Sequence, residues 1–304
     1  MGDLRLHAGI RRSSQQVNEC ESLSEAELGV IGDISDETFE MLISGGYKPK
    51  SNRLSRHVVS IRTHNYVRHR GDNHFCSGVL VSSRAVLTAA HCLTDRYKAS
   101  MNPRGIRVVF AHITRLADYE DADTRFVDRL VVHPEYERYK KNDLAVLRLA
   151  ERIPSSNHDV LPLLLRKMAN VTYGDTCVTL GWGQIYQHGP YSDELLYLDV
   201  IIRPPSLCQK HDGSFTSDHY VCTEPVGEGQ TCAGDMGGPL LCNGALLGLI
   251  GGHQGCAGGK AMKFVSFLYY KDWITTTIKS LSDCGLRVSI SSVFLTPFLL
   301  ILVN

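Results

Sequence analysis

Three short segments contain the residue types that carry proton-transfer chemistry. Histidine and aspartate are among the usual general acids and bases of enzyme sites. His91 lies in the segment LTAAHC, and Asp143 opens the apolar segment KNDLAVLRL. A third segment, TCAGDMGGPL, is rich in glycine and has Met236 in its middle. A lone histidine or aspartate carries no information, so it is the order of the three segments that indicates a site.

In this order the segments resemble those of the trypsin/chymotrypsin-like serine proteases. The flanking sequence agrees, because Ile43-Ser44-Gly45-Gly46 lies near the start, and VHPEY, LGWG and DWI lie at 132–136, 180–183 and 272–274. The resemblance covers about residues 43–281. It implies an all-β fold of two six-stranded antiparallel β-barrels packed across a cleft, with a C-terminal helix, and it implies descent from serine-type endopeptidases.

The nucleophile position departs from the family pattern. The family motif is Gly-Asp-Ser-Gly-Gly-Pro with a nucleophilic serine, whereas this chain has Met236, whose thioether has no proton to lose and forms no acyl-enzyme. The resemblance makes His91 the base, Asp143 its orienting partner, and the backbone N–H groups of Gly234 and Met236 the oxyanion hole. Loss of the nucleophile alone costs such enzymes about a millionfold in turnover. We therefore expect a homologue without protease activity.

The specificity pocket implied by the resemblance also departs from the family pattern. Gln230 stands at its base, where a trypsin has aspartate. The family strand Ser-Trp-Gly reads Gly251-Gly252-His253, which removes a hydroxyl near the catalytic aspartate and adds a ring to the pocket. Met262 replaces a glycine of the pocket wall. A single sequence error at position 236 would not explain these changes, so we predict a pocket filled from two sides.

Activation leaves two alternatives. In the family, cleavage before an Ile-Val-Gly-Gly-like start frees an amine that pairs with the aspartate preceding the nucleophile. Ile43 and Asp235 are present, but Glu40-Met41-Leu42 offers no Arg or Lys to a tryptic activator. Either a protease of another specificity cleaves after Leu42, or the domain stays zymogen-like and Asp235 finds another partner.

Ten cysteines, an even number without any Cys-x-x-Cys pair, favour disulfides and an oxidising compartment over a zinc ribbon or a redox site. Cys20 and Cys284 fall outside the pairs that the resemblance implies, and they either bond each other or leave Cys20 for an intermolecular bond. The implied pairs are Cys76–Cys92, Cys177–Cys242, Cys208–Cys222 and Cys232–Cys256.

Short apolar segments separated by turn residues must position the site, and their spacing indicates an all-β sandwich or barrel. The segment KDWITTTIKSL (271–281) has helical spacing instead. The strand-like segments include 57–63, 77–83, 106–113, 126–133, 145–150, 177–183, 197–204 and 244–252.

The two ends differ from the predicted domain at 43–281. Residues 1–42 form an acidic leader, with eight acidic residues and no Lys or Arg in 19–41, and they contain no recognisable signal peptide. We favour a missing first exon as the reason. Residues 282–304 form an apolar tail that fits a lipid (GPI) anchor signal, with a tail anchor or a packed strand as alternatives.

Composition and smaller motifs narrow the range of possible functions. Thirty-two basic residues balance thirty-two acidic ones, which argues against nucleic-acid binding. Three histidines (64, 69 and 74) indicate a basic surface loop rather than a metal site, and a nearby cluster of Arg62, Arg68 and Arg70 could bind an acidic partner or glycan. Asn170-Val171-Thr172 is an N-glycosylation sequon. We expect no cofactor and no metal.

The sequence therefore predicts a secreted or surface-anchored, inactive homologue that binds an extracellular protein: an active protease, its substrate or its inhibitor. Only Cys20 precedes the domain, which argues against a clip-domain cofactor. A weakly active endopeptidase with an unusual site is one alternative. A lipid-anchored adhesion or receptor protein is the other.

Overall fold

The computed structural model describes residues 46–117, 123–138, 140–212, 215–251, 256 and 261–282. The predictions about the leader, the apolar tail, Ile43, the Gly252-His253 pair, and the two remaining cysteines fall outside these residues.

The first six strands close into a barrel. Its sheet order is β1-β2-β3-β6-β5-β4, and all neighbours are antiparallel. Strand β6 is buried at every position because it lies between β3 and β5 and is rich in Val, Leu and Ala. The strands are β1 Val58–Thr63, β2 His74–Ser82, β3 Ala85–Thr88, β4 Ile106–Val109, β5 Thr124–Val132 and β6 Ala145–Leu149.

The next six strands close into a second antiparallel barrel of order β10-β11-β12-β9-β8-β7. Trp182, just after β7, is among the largest fully buried side chains, and its indole N–H donates to the carbonyl of Ile113 at 2.7 Å. The strands are β7 Thr176–Gly181, β8 Leu196–Ile202, β9 Tyr220–Pro225, β10 Pro239–Cys242, β11 Ala245–Ile250 and β12 Met262–Ser266.

Two α-helices complete the described fold. Helix α1, Pro205–His211, follows β8, and helix α2, Phe267–Ser282, follows β12 directly. The buried residues of α2 recur every three or four positions, which is the spacing of one helical face; they are Phe267, Tyr270, Ile274, Thr277 and Leu281.

The expected architecture of two six-stranded barrels and a C-terminal helix is confirmed. The helix begins four residues before the segment predicted from its spacing. The described residues contain four disulfides, and they are the pairs that the resemblance implies. Such bridges fit an oxidising compartment. Among the described residues, no helix is both long and apolar enough to cross a membrane.

The barrels meet where the loop before β10 passes over β2 and β3. Gly237 has φ +83°, and a Cβ there would lie 2.1 Å from Thr88 Oγ1 and 2.4 Å from the Ser77 carbonyl oxygen. The Ser77 N–H also donates to the Met236 carbonyl at 2.8 Å. Only glycine allows this approach with this backbone conformation.

We expect Gly237→Ala to lower the free energy of unfolding by about 2–4 kcal/mol, because the methyl group forces the barrels apart and strains the backbone. Gly105→Ala is the matched control, since a Cβ at that position has no neighbour within 4 Å. It should change stability by less than about 0.5 kcal/mol in urea unfolding of the disulfide-bonded protein. Equal effects of the two substitutions would contradict this account of the interface.

Candidate active site

A histidine and an aspartate are paired between the ends of two strands. His91 lies in the 3₁₀ turn Ala90–Cys92 after β3, and Asp143 lies just before β6. The Nδ1 of His91 is 2.7 Å from Asp143 Oδ2, and the backbone N–H of His91 donates to Oδ1 at 2.9 Å. Asp143 is only 1% exposed. This arrangement orients the His91 ring and leaves Nε2 as the nitrogen available for proton transfer.

Met236 is connected to this pair through Cys92. Its carbonyl oxygen is 3.8 Å from Cys92 Sγ, which itself lies 4.0 Å from His91 Nε2. Met236 is 6% exposed and belongs to the hydrophobic cluster that contains Cys76 and Cys92. The methionine therefore packs as a core side chain at the position where the resemblance places a nucleophile.

The loop at Met236 contains the two N–H groups that the resemblance assigns to an oxyanion hole. Gly234 has φ +100°, and its carbonyl accepts from Ser77 Oγ at 3.0 Å. Among the described residues, the N–H groups of Gly234 and Met236 donate to no backbone carbonyl. Both groups are thus free of the backbone bonds that would prevent them from serving as oxyanion donors.

The carboxylate of Asp235 points away from these two N–H groups into the second barrel. Its oxygens accept from the N–H of Gly183 at 2.7 Å and of Cys232 at 2.8 Å. A Cβ at Gly183 would lie 2.2 Å from Asp235 Oδ2, and a Cβ at Gly181 would lie 2.2 Å from Oδ1. This close approach explains both glycines of the LGWG motif. Burial raises the pKa of Asp235 to about 6, and the two N–H bonds oppose that rise.

His74 is a second buried titratable group near this loop. Its Nδ1 is 2.8 Å from Ser60 Oγ, and its Nε2 is 3.1 Å from the Gly234 carbonyl oxygen. Burial lowers the pKa of His74 to about 3, helped by the nearby positive charges of Arg62 and Arg115. Because Nε2 faces a carbonyl, His74 is bonded to the Met236 loop through Gly234. The prediction of a surface loop missed this role of His74. The sequence signal for it was the position of His74 two residues before Cys76.

Three predicted pocket residues lie among the described ones. Gln230 is 2% exposed, and its Oε1 has no hydrogen-bond partner in the described structure. It lines a cavity of about 10 Å³ together with Asp235. Met262 is buried in the same hydrophobic cluster as Met236. At Gly251, an added Cβ would lie 2.5 Å from Val265 Cγ2 and 3.6 Å from Asp143 Oδ2, so Val265 occupies the space of a side chain at this position.

The basic cluster expected on one surface loop is divided between interior and surface. Arg62 and His74 are buried, which corrects the prediction for those two residues. Arg62 lies inside because its Nε donates to Ser60 Oγ and its Nη2 donates to the Arg115 carbonyl. Residues 64–70 are exposed, and Asn170 is exposed on a different loop.

One group among the described residues has the proximity of metal ligands: Cys76, His91 and Cys92. Both of its sulfur atoms form the Cys76–Cys92 disulfide, so neither is available as a thiolate ligand.

Comparison with known proteins identifies relatives by sequence and by structure. The trypsin family profile matches residues 43–274. Trypsin-3 of Salmo salar is 29% identical over 244 residues, which cover 78% of this chain and 93% of that protein. Serine protease SP24D of Anopheles gambiae is 36% identical over 214 residues, covering 69% and 74%. Among solved structures, human heparin binding protein aligns with a TM-score of 0.63 and 26% identity, covering 78% of this chain and 97% of that one.

Asp235 and His74 should impose opposite pH dependences on stability. The pKa of Asp235 is raised from 3.8 to about 6 on folding, so its contribution falls as pH rises from about 4 to 6. The pKa of His74 is lowered from 6.5 to about 3, so its contribution falls as pH drops from about 6.5 to 3. In the native chain the two effects nearly cancel between about pH 4 and 6.

Relative to the native chain, Asp235→Asn should make stability rise with pH in this window, by about 1.4 kcal/mol per pH unit. His74→Gln should make it fall by a similar slope. Urea unfolding of the disulfide-bonded protein at pH 4, 5 and 6 measures both. If the free energy of unfolding of both variants depends on pH as it does in the native chain, the opposing contributions assigned to Asp235 and His74 are wrong.

Proposed function

This chain belongs to the trypsin family, and we propose that it is a non-catalytic member that acts outside the cell by binding a protein partner. The observation that carries the proposal is Met236 at the nucleophile position of the family motif, in a chain that keeps the histidine–aspartate pair. His91 is oriented by Asp143 at 2.7 Å, so a base is present, but the thioether of Met236 has no proton to give it. Acyl transfer through the family mechanism therefore lacks its first step.

The packing around the pair supports a loss of catalytic activity that involves several positions and not Met236 alone. Val265 fills the space above Gly251, where a serine hydroxyl would approach Asp143. Gln230 is buried with an unsatisfied oxygen, and Met262 is buried in the hydrophobic cluster. A substrate side chain would have to displace these groups, whereas a protein that binds through its outer surface would not.

A binding role is consistent with the scaffold. Two closed barrels, four disulfides and a buried loop network hold the surface loops rigidly, and rigid scaffolds that display loops are suited to recognition. One structural relative is named for binding heparin. We expect the partner to be an active protease, its substrate or its inhibitor, because a protease-like surface can compete for the same molecules.

Hydrolysis of a peptide library by the purified, disulfide-bonded chain tests the proposal. The native chain should turn over about a millionfold more slowly than an active protease, and His91→Ala should change nothing. Met236→Ser should restore labelling by a serine-directed phosphonate, because His91 and Asp143 already supply the base. This labelling should disappear in Met236→Ser/His91→Ala. Native turnover that vanishes in His91→Ala would overturn the proposal.

The repacked strand around Gly251 gives a separate test. Gly251→Ser should lower the free energy of unfolding by about 1–3 kcal/mol, because its Cβ overlaps Val265 Cγ2. Val265→Ala should create a cavity by itself but relieve that overlap, so the two substitutions should be non-additive by at least about 0.5 kcal/mol. Purely additive effects in urea unfolding would contradict the packing described above.

A further inference from the structure

The segment that links β6 to β7 displays the one N-glycosylation sequon of the sequence. Asn170-Val171-Thr172 is the only Asn-x-Ser/Thr sequence in the chain. Side chains alternate along this stretch, because Ala169 and Val171 pack against the hydrophobic core, whereas Met168, Asn170 and Thr172 are exposed. Every second side chain of an extended backbone faces the same way. Asn170 therefore faces outward between Met168 and Thr172.

Hydrogen bonds hold the backbone on both sides of Asn170. The carboxylate of Asp175 accepts from the Thr172 N–H at 2.8 Å and from Thr172 Oγ1 at 3.2 Å. On the other side, Lys167 Nζ donates to the Asn243 carbonyl at 2.8 Å. Within the described part of the chain, the Asn170 side chain forms no hydrogen bond. A sugar can therefore be attached to its Nδ2 without the loss of a contact that stabilises the fold.

Two exposed apolar side chains lie beside the sequon. Met168 is 40% exposed, and Leu268, near the start of α2, is 62% exposed. Lys271 Nζ lies 3.3 Å from Met168 Sδ, which places the first turns of α2 against the sequon segment. Leu268 precedes Lys271 by three residues and lies on the same side of the helix. We call Met168 and Leu268 the apolar patch.

We propose that Asn170 carries an N-linked glycan and that its first N-acetylglucosamine covers the apolar patch. The sugar ring has a face of C–H groups, and its acetyl group ends in a methyl, so it can lie on apolar side chains while its hydroxyls remain in water. The donor is an oligosaccharide linked to a lipid diphosphate. The bond from Nδ2 to the sugar C1 forms and the C1–O bond to the diphosphate breaks. Nδ2 loses one proton to a base of the transferring enzyme, and the lipid diphosphate leaves.

A protein partner is the other possible cover for the apolar patch, and two observations favour the glycan. The Cα atoms of Met168 and Asn170 are about 7 Å apart in an extended chain, so an attached sugar begins next to Met168. Two side chains are also far less than a stable protein interface buries. The inference rests on the extracellular location in the proposed function, and it is independent of whether the cleft turns over peptides.

Secretion of the full chain from mammalian cells, with a signal peptide added at its start, tests the attachment. Treatment with peptide-N-glycosidase should raise the gel mobility of the native chain and convert the Asn170 side chain to aspartate. Asn170→Gln should abolish the mobility change. Thr172→Ser is the matched control and should keep the glycan, because Asn-x-Ser is also a sequon.

A secreted native chain without a glycan overturns the proposal, and so does a glycan that remains in Asn170→Gln. Because the added signal peptide supplies the location, neither result bears on the binding role proposed above.

Oxidation by hydrogen peroxide tests the cover. Endoglycosidase H trims a high-mannose glycan to its first N-acetylglucosamine. Methionine oxidation follows exposure, so Met168 should oxidise at least about threefold more slowly in this trimmed chain than in Asn170→Gln. Met101 packs against the core of the first barrel and is the internal control, with equal rates expected in the two chains. Peptide mass spectrometry measures both rates. Equal rates at Met168, or a change of the same size at Met101, overturn the proposal.

Discussion

The buried carboxylate of Asp235 is the constraint around which the Met236 loop is built. Within the described structure it bonds to the N–H groups of Gly183 and Cys232, and this requires glycine at 181 and 183. Its raised pKa corresponds to a net cost of roughly 3 kcal/mol for ionising the group in the fold, because the two N–H bonds offset only part of the desolvation. These bonds fix the backbone before position 236, and the bond from the Gly237 N–H to the Ile250 carbonyl fixes it after that position. The loop conformation therefore does not depend on the side chain at that position, which is why methionine can replace a nucleophile without dismantling the site.

The histidine–aspartate pair likewise has a structural role that does not depend on catalysis. Asp143 accepts from both the ring and the backbone N–H of His91, so the pair holds the turn after β3 against the start of β6. Removing either partner would leave a buried polar group unsatisfied, which costs about 1–3 kcal/mol. The pair is thus part of the folded structure, and its geometry alone is not evidence of turnover. The departure from the family pattern lies at Gly251 instead. There Val265 fills the volume that a side chain at position 251 would occupy.

Strand periodicity was sufficient to predict an all-β sandwich or barrel, because alternating burial is encoded locally. The two six-stranded barrels and the disulfide pairs were instead implied by the family resemblance that the motif order carries. Strands β3, β9, β10 and β12 lie outside the segments named from the sequence, and the barrel order depends on contacts distant in sequence. The positions of Arg62 and His74 were wrong for a related reason. Both lie in a basic stretch that reads as a surface loop, but they fall on β1 and β2, where both bond Ser60 Oγ. The residues of β1 from Val58 to Arg62 are all buried, so both faces of the strand are covered there. This cover comes from residues distant in sequence, such as Arg115 and Gly234, and a local pattern does not encode it.

The loop between β1 and β2 and the Met236 loop are joined by continuous contacts that begin at Arg115, whose Nη1 donates to the Gly71 carbonyl. Arg115 donates to the Tyr191 carbonyl, the Tyr191 ring packs on the face of Gly234 where a Cβ would lie 2.7 Å from it, and Ser192 N–H donates to the Gly183 carbonyl beside Asp235. Contiguity by itself does not make two sites interdependent, because coupling needs an element with two states that both sites bias. The links are hydrogen bonds and packing contacts of largely buried groups, and Arg115 adds further bonds to the carbonyls of Ser192 and Gly71. Such a network fixes the position of the loop between β1 and β2 and does not by itself couple two sites.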